Sequence, residues 1–167
     1  MYQNIGDLIC IKKLGEGSFG KVGLYKHNNS NNVFAVKIIN KLKAKHSNYF
    51  KYLNSELQTL RMLNHNNIAK LIKVIDNESQ KDLILVMEYC NGGSLLDCLN
   101  KFKEKYKRPF IEEIVQYLTR QIVEALVYIH DKNIIHRDLK SENIMIHFDN
   151  EIDKINLNMM KAKIKIV

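Results

Sequence analysis

The sequence lacks the features of a membrane-spanning or disulfide-stabilised protein. None of its apolar runs approaches the length of a membrane span. The N-terminal stretch MYQNIGDLICIKK has no basic region followed by a long apolar run, so we expect no secretory signal. The three cysteines, Cys10, Cys90 and Cys98, are odd in number and form no CxxC pair. We therefore expect no disulfide or metal framework, and a reducing intracellular setting, cytoplasmic or nuclear.

Acidic residues are missing from a long stretch near the N-terminus. No Asp or Glu lies between Glu16 and Glu56, and such a basic segment would attract a polyanion. The lysines of this stretch are Lys21, Lys26, Lys37, Lys41, Lys43, Lys45 and Lys51. The formal net charge of the chain is +8, which would suit a nucleic-acid or anionic membrane surface. Because no dense run of Lys and Arg occurs, we favour lysines spread over solvated faces and expect no specific nucleic-acid partner.

The length and composition are those of a globular protein. With 167 residues, of which 46% are hydrophobic, the chain can form one domain or two small ones around a sizeable core. The sequence contains no internal repeat and gives no indication of the oligomeric state.

The periodicity of the apolar residues predicts strands first and helices later. The β-prone stretches are residues 8–15, 21–27, 33–39, 68–75 and 83–89. Helical spacing appears at residues 50–63, 94–105 and 111–129. Strands interrupted by one helix, then mainly helix after Asn91-Gly92-Gly93, indicate an α+β protein with a boundary near Asn91.

A glycine-rich loop joins the first two predicted strands. Its residues are Gly15, Glu16, Gly17, Ser18, Phe19 and Gly20. Glycines without a Cβ let the backbone approach a phosphate closely. A dinucleotide-binding fold would require a helix directly afterwards and an acidic residue about 20 positions on, but a strand pattern follows here. A plain flexible hairpin is the other alternative to a nucleotide-binding loop.

The residues that follow the loop favour nucleotide phosphates. Val22 follows the last glycine, and Ala35-Val36-Lys37 lies on the next strand, where the lysine can reach phosphates held under the hairpin. Glu56, the first acid after the basic stretch, lies on a predicted helix and could pair with Lys37. Taken singly, Lys37 and Glu56 are typical surface residues, and only together with the loop do they indicate a site.

A second polar cluster follows the long helix in the string HRDLKSEN. Asp138 could accept a proton from an attacking hydroxyl, and Lys140 could offset charge on a transferring phosphoryl group. Asn143 offers a hard oxygen to Mg²⁺. An isolated His-Arg-Asp is only a polar loop, but the complete string after an amphipathic helix is highly specific.

In their order, GEGSFGKV, FAVK and HRDLKSEN resemble the motifs of the eukaryotic protein kinases, and the resemblance extends over nearly the whole chain. It implies a two-lobe α+β fold. Residues 1–90 would comprise a five-stranded antiparallel small lobe with one helix and, at their end, the hinge. Residues 91–167 would be the first, incomplete part of a mainly helical large lobe with its catalytic loop.

The resemblance also implies an activity and its ligands. The family transfers the γ-phosphoryl group of ATP, with Mg²⁺, to a protein hydroxyl, and Lys140-Ser141-Glu142 resembles the serine/threonine type. The glycine loop, Lys37 and Glu56 would then hold phosphates, with Asp138, Lys140 and Asn143 as catalytic residues and Asn143 also as metal ligand. The residues implied around the adenine are Val22, Ala35, Met87, Glu88, Cys90 and Met145.

The sequence departs from the family pattern near its end. It contains no Asp-Phe-Gly, whose Asp binds Mg²⁺ in the family, and in this register that Asp would follow Val167. We expect a truncated domain with little activity alone; a pseudokinase or nucleotide-binding module is the alternative. Asp149, Glu151 and Asp153 could substitute as metal ligands, but we expect a solvated loop there.

Apolar residues on several faces of the long helix, such as Val123 and Tyr128, predict that the chain aggregates or binds a hydrophobic dye.

Overall fold

A computed structural model describes residues 3–17, 20–45, 49–76 and 81–167 of the chain. These residues belong to two compact units, Met1–Met62 with Lys70–Tyr89, and Leu63–Ala69 with Cys90–Val167. The predicted boundary near Asn91 is close to the second junction. Residues 63–69 fall within the predicted small lobe, residues 1–90, but they pack with the second unit. The assignment of the two units as kinase lobes stays a prediction.

The first unit contains an antiparallel sheet of five strands in the order β1-β2-β3-β5-β4. Its strands are β1 (Leu8–Glu16), β2 (Gly20–His27), β3 (Val33–Asn40), β4 (Leu71–Asp76) and β5 (Asp82–Glu88). The predicted five-stranded sheet is therefore confirmed. Strand β4 starts later than the predicted 68–75 because Ile68 forms a bridge with Ile166 of the second unit.

Both faces of this sheet bury apolar residues. On one face Ile39 and Leu85 pack against Leu53 and Leu57 of helix α2 (Tyr49–Met62), whose apolar residues recur at helical spacing. A short helix α1 (Lys41–Lys45), which was not predicted, precedes it. The opposite face buries Leu8, Tyr25, Val36, Ile84 and Val86. The alternation of the strands thus places successive residues in two separate clusters.

The second unit is mainly helical. Its helices α3 (Leu95–Tyr106) and α4 (Glu112–Asp131) accompany a small antiparallel sheet of β6 (Gly93–Ser94), β7 (Ile144–His147) and β8 (Lys163–Ile166). Helix α3 begins with a capping box: the Ser94 hydroxyl accepts from the Asp97 N–H at 3.1 Å, and the Asp97 carboxylate accepts from the Ser94 N–H at 3.0 Å. This cap defines the start of the helix directly after the Gly92-Gly93 turn.

Helix α4 buries one stripe and exposes another. Ile114, Leu118, Ala125 and Ile129 lie in the core of the second unit. On the outer side, the apolar residues that are about half exposed are Val115, Val123 and Val127. Val123 therefore behaves as predicted, whereas the Tyr128 ring stacks on His65 and its hydroxyl accepts from the Asn64 N–H at 3.0 Å.

The connection between β7 and β8 is folded, so the expectation of a solvated loop is wrong. It contains helix α5 (Glu151–Asn156) and a 3-10 turn at Met159–Lys161. Phe148 and Met159 from this connection are buried in the core of the second unit. None of the helices within the described ranges combines the length and apolar character needed to cross a bilayer.

Candidate active site

The glycine-rich loop lies at the turn between β1 and β2. Gly17 N–H donates to the Gly20 carbonyl at 2.9 Å, which closes the turn. Ser18 and Phe19, both predicted site residues, lie outside the described residues. A Cβ on Gly20 would lie 2.2 Å from the Ile38 carbonyl oxygen, so this position requires glycine for packing against β3. No described neighbour lies within 4 Å of a Cβ on Gly15 or Gly17.

Four of the predicted nucleotide-binding residues share one face of the first sheet. Val22 is paired directly with Lys37 across β2 and β3, and Ala35 is paired with Met87 across β3 and β5. Because side chains alternate along a strand, Ala35 and Lys37 point to the same face as Ile39, the face that α2 covers. The sheet register therefore brings together residues that are far apart in sequence.

Two of the predicted acids of the first unit, Glu56 and Glu16, occupy different positions. Glu56 lies on α2, half-buried, one turn after Leu53, which contacts the sheet. No ion pair between Glu56 and Lys37 occurs among the residues that the structure describes, so their pairing stays a prediction. Glu16, at the end of β1, forms an ion pair with Lys13 at 2.6 Å.

The remaining predicted adenine-contacting residues are Glu88, Cys90 and Met145. Glu88 is the last residue of β5, and its N–H donates to the Lys70 carbonyl at 2.9 Å. Cys90 is buried at the start of the second unit. Met145 lies on β7 opposite Ser94 and is half-buried. The roles of these residues toward a base stay predictions.

The second unit brings Asp138, Lys140 and Asn143 together. The Lys140 ammonium donates to Asp138 Oδ1 at 2.9 Å, and the Asn143 amide donates to Asp138 Oδ2 at 2.8 Å and to its carbonyl at 2.8 Å. A 3-10 turn at Ser141–Asn143 closes the loop, with the Asn143 N–H donating to the Lys140 carbonyl at 2.9 Å. The predicted catalytic residues therefore form one hydrogen-bonded group.

The electrostatics of this group favour a charged Asp138. The hydrogen bond from Lys140 first, and that from Asn143 second, hold the pKa of Asp138 below its ordinary value. The Asp138 side chain is 65% exposed, so an incoming hydroxyl can reach it. The loop thus presents an ionised, accessible carboxylate whose two oxygens already have fixed donors.

His136 supports the same loop, a role that the motif string did not reveal. The Asp138 N–H donates to His136 Nδ1 at 3.3 Å, and His136 Nε2 lies 2.9 Å from the Val167 carbonyl oxygen. The Val167 N–H in turn donates to the Asn143 carbonyl at 3.0 Å. His136 therefore links the backbone of the Asp138 loop to the end of β8, which only the folded chain places beside it.

The acids of the β7–β8 connection are committed to other contacts. Asp149 pairs with Lys163 at 2.6 Å, Glu151 pairs with Lys154 at 2.7 Å, and Asp153 accepts from the Asn158 amide at 2.9 Å. In the part of the chain that the structure describes, no three His, Cys, Asp or Glu side chains form a metal-binding group. Asn143 retains its side-chain Oδ1, which accepts no hydrogen bond from the described residues.

Comparison with known proteins gives consistent matches. The family model described as "Protein kinase domain" matches residues 8–165. The human hormonally up-regulated neu tumor-associated kinase is 38% identical over 160 residues, which is 95% of this chain and 21% of that protein. A probable serine/threonine-protein kinase of Dictyostelium discoideum is 32% identical over 153 residues, 87% of this chain and 21% of that protein. The chain spans about a fifth of the length of these relatives.

Proposed function

Because the chain belongs to the protein kinase family, we propose that its activity is the transfer of the ATP γ-phosphoryl group to a serine or threonine hydroxyl of a protein. The observation that carries this proposal is the Asp138 carboxylate, exposed, ionised and held by Lys140 and Asn143. In that state Asp138 orients the substrate hydroxyl and accepts its proton. Lys140 sits beside the same carboxylate and offsets negative charge that develops on the phosphoryl group.

The first unit fits the phosphates of a nucleotide. The Cβ positions of Gly15 and Gly17 meet no described neighbour, so the chain's own packing does not require glycine there. A phosphate close to the backbone would explain these glycines. Lys37 lies on the sheet face that also carries Val22 and Ala35, where its ammonium would pair with phosphate oxygens and the apolar side chains would cover a base.

The second unit fits a metal ion through Asn143. Its amide nitrogen is committed to Asp138, and the remaining Oδ1 is the kind of hard oxygen ligand that Mg²⁺ takes. When bound, ATP supplies the phosphoryl group and Mg²⁺ offsets its charge. The specificity for serine and threonine rests on Lys140-Ser141-Glu142 and on the relative named as a probable serine/threonine-protein kinase.

We infer further that these 167 residues alone carry little phosphotransfer activity, because they contain no Asp-Phe-Gly and so only part of the metal ligand set. On their own, these residues would then act as a nucleotide-binding module. An intracellular location, cytoplasmic or nuclear, fits Cys10, Cys90 and Cys98, none of which forms a disulfide.

The test uses a protein that carries these residues within a full-length kinase domain, and it measures the labelled phosphate that this protein incorporates into a protein substrate. Asp138→Asn should lower this rate by about 100-fold or more, because the amide cannot accept the proton. Its thermal midpoint should stay near that of the parent, since Asp138 is exposed. A variant with unchanged rate would overturn the role of Asp138 and with it the proposed activity.

A further inference from the structure

The second unit contains a cavity of about 430 Å³ between α3 and the connection that carries α5. It is lined by Asn91, Gly92, Lys101, Glu104, Lys105, Phe148, Lys154, Ile155 and Leu157. None of the proposed catalytic residues contributes to it. The cavity therefore needs an explanation separate from phosphoryl transfer.

The walls of this cavity are joined by specific hydrogen bonds. The Asn91 amide donates to the Phe148 carbonyl at 2.9 Å, and its oxygen accepts from the Phe148 N–H at 2.9 Å. The Lys105 ammonium donates to the Ile155 carbonyl at 3.0 Å. Tyr106, next on α3, donates its hydroxyl proton to the Asn156 carbonyl. The β7–β8 connection is thus attached to α3, and the cavity is a consequence of that attachment.

The charge of the lining indicates an acidic occupant. Lys101, Lys105 and Lys154 surround the cavity, against one acidic side chain, Glu104. Lys154 already pairs with Glu151, whereas Lys101 is exposed and has no ion pair among the described residues. A carboxylate entering the cavity would therefore meet cationic groups that are accessible and incompletely neutralised.

The lining also offers an apolar contact. Phe148 is almost fully buried at the cavity, and Ile155 of α5 is 62% exposed beside it. An aliphatic or aromatic side chain from a partner would cover part of Ile155 and gain the free energy of that burial. Small anions such as free phosphate would use the lysines and leave this apolar surface uncovered.

We propose that this cavity is a docking site for a substrate protein, through a segment in which acidic residues flank an aliphatic side chain. The inference rests on the proposed kinase function. Helix α3, which forms one wall, also packs against the 3-10 turn that carries Asn143. A substrate held in the cavity is therefore tethered to the same compact unit as Asp138, which raises the local concentration of its hydroxyl groups.

The test measures peptide binding by fluorescence anisotropy, with the 167-residue chain and no ATP. The probe is a fluorescein-labelled peptide EEDLDLEE, and the comparison peptide is KKKLKLKK. We expect saturable binding of the acidic peptide only. Lys101→Glu and Ile155→Ser should each weaken that binding by about ten-fold, the effect of removing one important contact.

Matched variants separate docking from general charge attraction. Lys103→Glu changes the net charge equally on the same helix, and Ile152→Ser removes an equally exposed isoleucine of α5, but neither residue lines the cavity. Both should bind the acidic peptide like the parent. Absence of saturable binding, or equal weakening by Lys103→Glu, would overturn the docking site. Because the readout is binding without ATP, loss of phosphotransfer would leave this result interpretable by itself.

Discussion

The Asn67 side chain donates a hydrogen bond to Gln121 Oε1 at 2.9 Å, although the two residues lie 54 positions apart. The same amide also donates to the Ile164 carbonyl at 3.1 Å. Gln121 in turn accepts from the Ile164 N–H at 3.1 Å and donates to the Ala162 carbonyl at 3.1 Å. Among the residues that the structure describes, Asn67 is the polar residue that is buried. This network attaches β8, and so Val167 and the Asp138 loop, to helix α4.

Removal of this network should destabilise the second unit. We expect Asn67→Ala to lower the free energy of unfolding by about 1–3 kcal/mol, because buried donors and acceptors lose their partners. Urea denaturation followed by circular dichroism measures the change. Gln116→Ala is the control, since Gln116 lies on α4, as Gln121 does, and donates to the exposed Glu112. Equal losses of unfolding free energy in both variants would show that the buried network stabilises the unit no more than an exposed hydrogen bond does.

The ionisation of Asp138 should depend on Lys140. Because the folded-state pKa is lowered, the carboxylate's contribution to stability is present above the ordinary Asp range and is lost as the pH falls through the lowered value. Lys140→Met should raise the Asp138 pKa back toward its ordinary value, as the largest stabilising contact is removed. Carbon-13 NMR titration of the Asp138 carboxyl measures this. Lys161→Met, which removes a lysine without a bond to Asp138, should leave the pKa unchanged; a similar shift there would contradict the assignment.

The glycines of the loop should separate into two classes. Gly20→Ala should destabilise the first unit by about 1–3 kcal/mol, because its Cβ would lie 2.2 Å from a backbone oxygen and β2 would have to move from β3. Gly17→Ala meets no described neighbour and should leave the thermal midpoint nearly unchanged, while it weakens ATP binding. Calorimetry in the presence and absence of ATP measures both effects. If the two variants were destabilised equally, the predicted clash between a Cβ at position 20 and β3 would be contradicted.

The exposed apolar stripe of α4 should bind hydrophobic dyes. Val115, Val123 and Val127 are each about half exposed on this helix, and such contiguous apolar surface binds hydrophobic dyes. We expect the 167-residue chain to enhance anilinonaphthalene sulfonate fluorescence, and Val123→Lys with Val127→Glu to reduce the signal. The control exchanges Glu113, an exposed residue of the same helix outside this stripe, for Gln. A monodisperse, cooperatively melting chain that leaves the dye fluorescence unchanged would contradict the prediction.

Much of the fold could be predicted because its signals are local. Alternating apolar residues in β2 and β3, and helical spacing in α2 and α4, depend only on neighbours in the chain. Helix α5 was missed because its own apolar residues, Ile152 and Ile155, stay exposed. Its position depends instead on hydrogen bonds from Lys105 and Tyr106 of α3, which no local pattern reveals.

The candidate site likewise contains residues that the sequence predicts and contacts that only the folded chain reveals. Asp138, Lys140 and Asn143 lie within one short string, so the sequence determined both their identity and, through the tight loop, their hydrogen bonding. Only the tertiary structure decided that His136 would meet the end of β8, that residues 63–69 would join the second unit, and that α3 and α5 would enclose a cavity. Contacts between distant segments depend on how the elements pack, and packing energies are not encoded in any single stretch of residues.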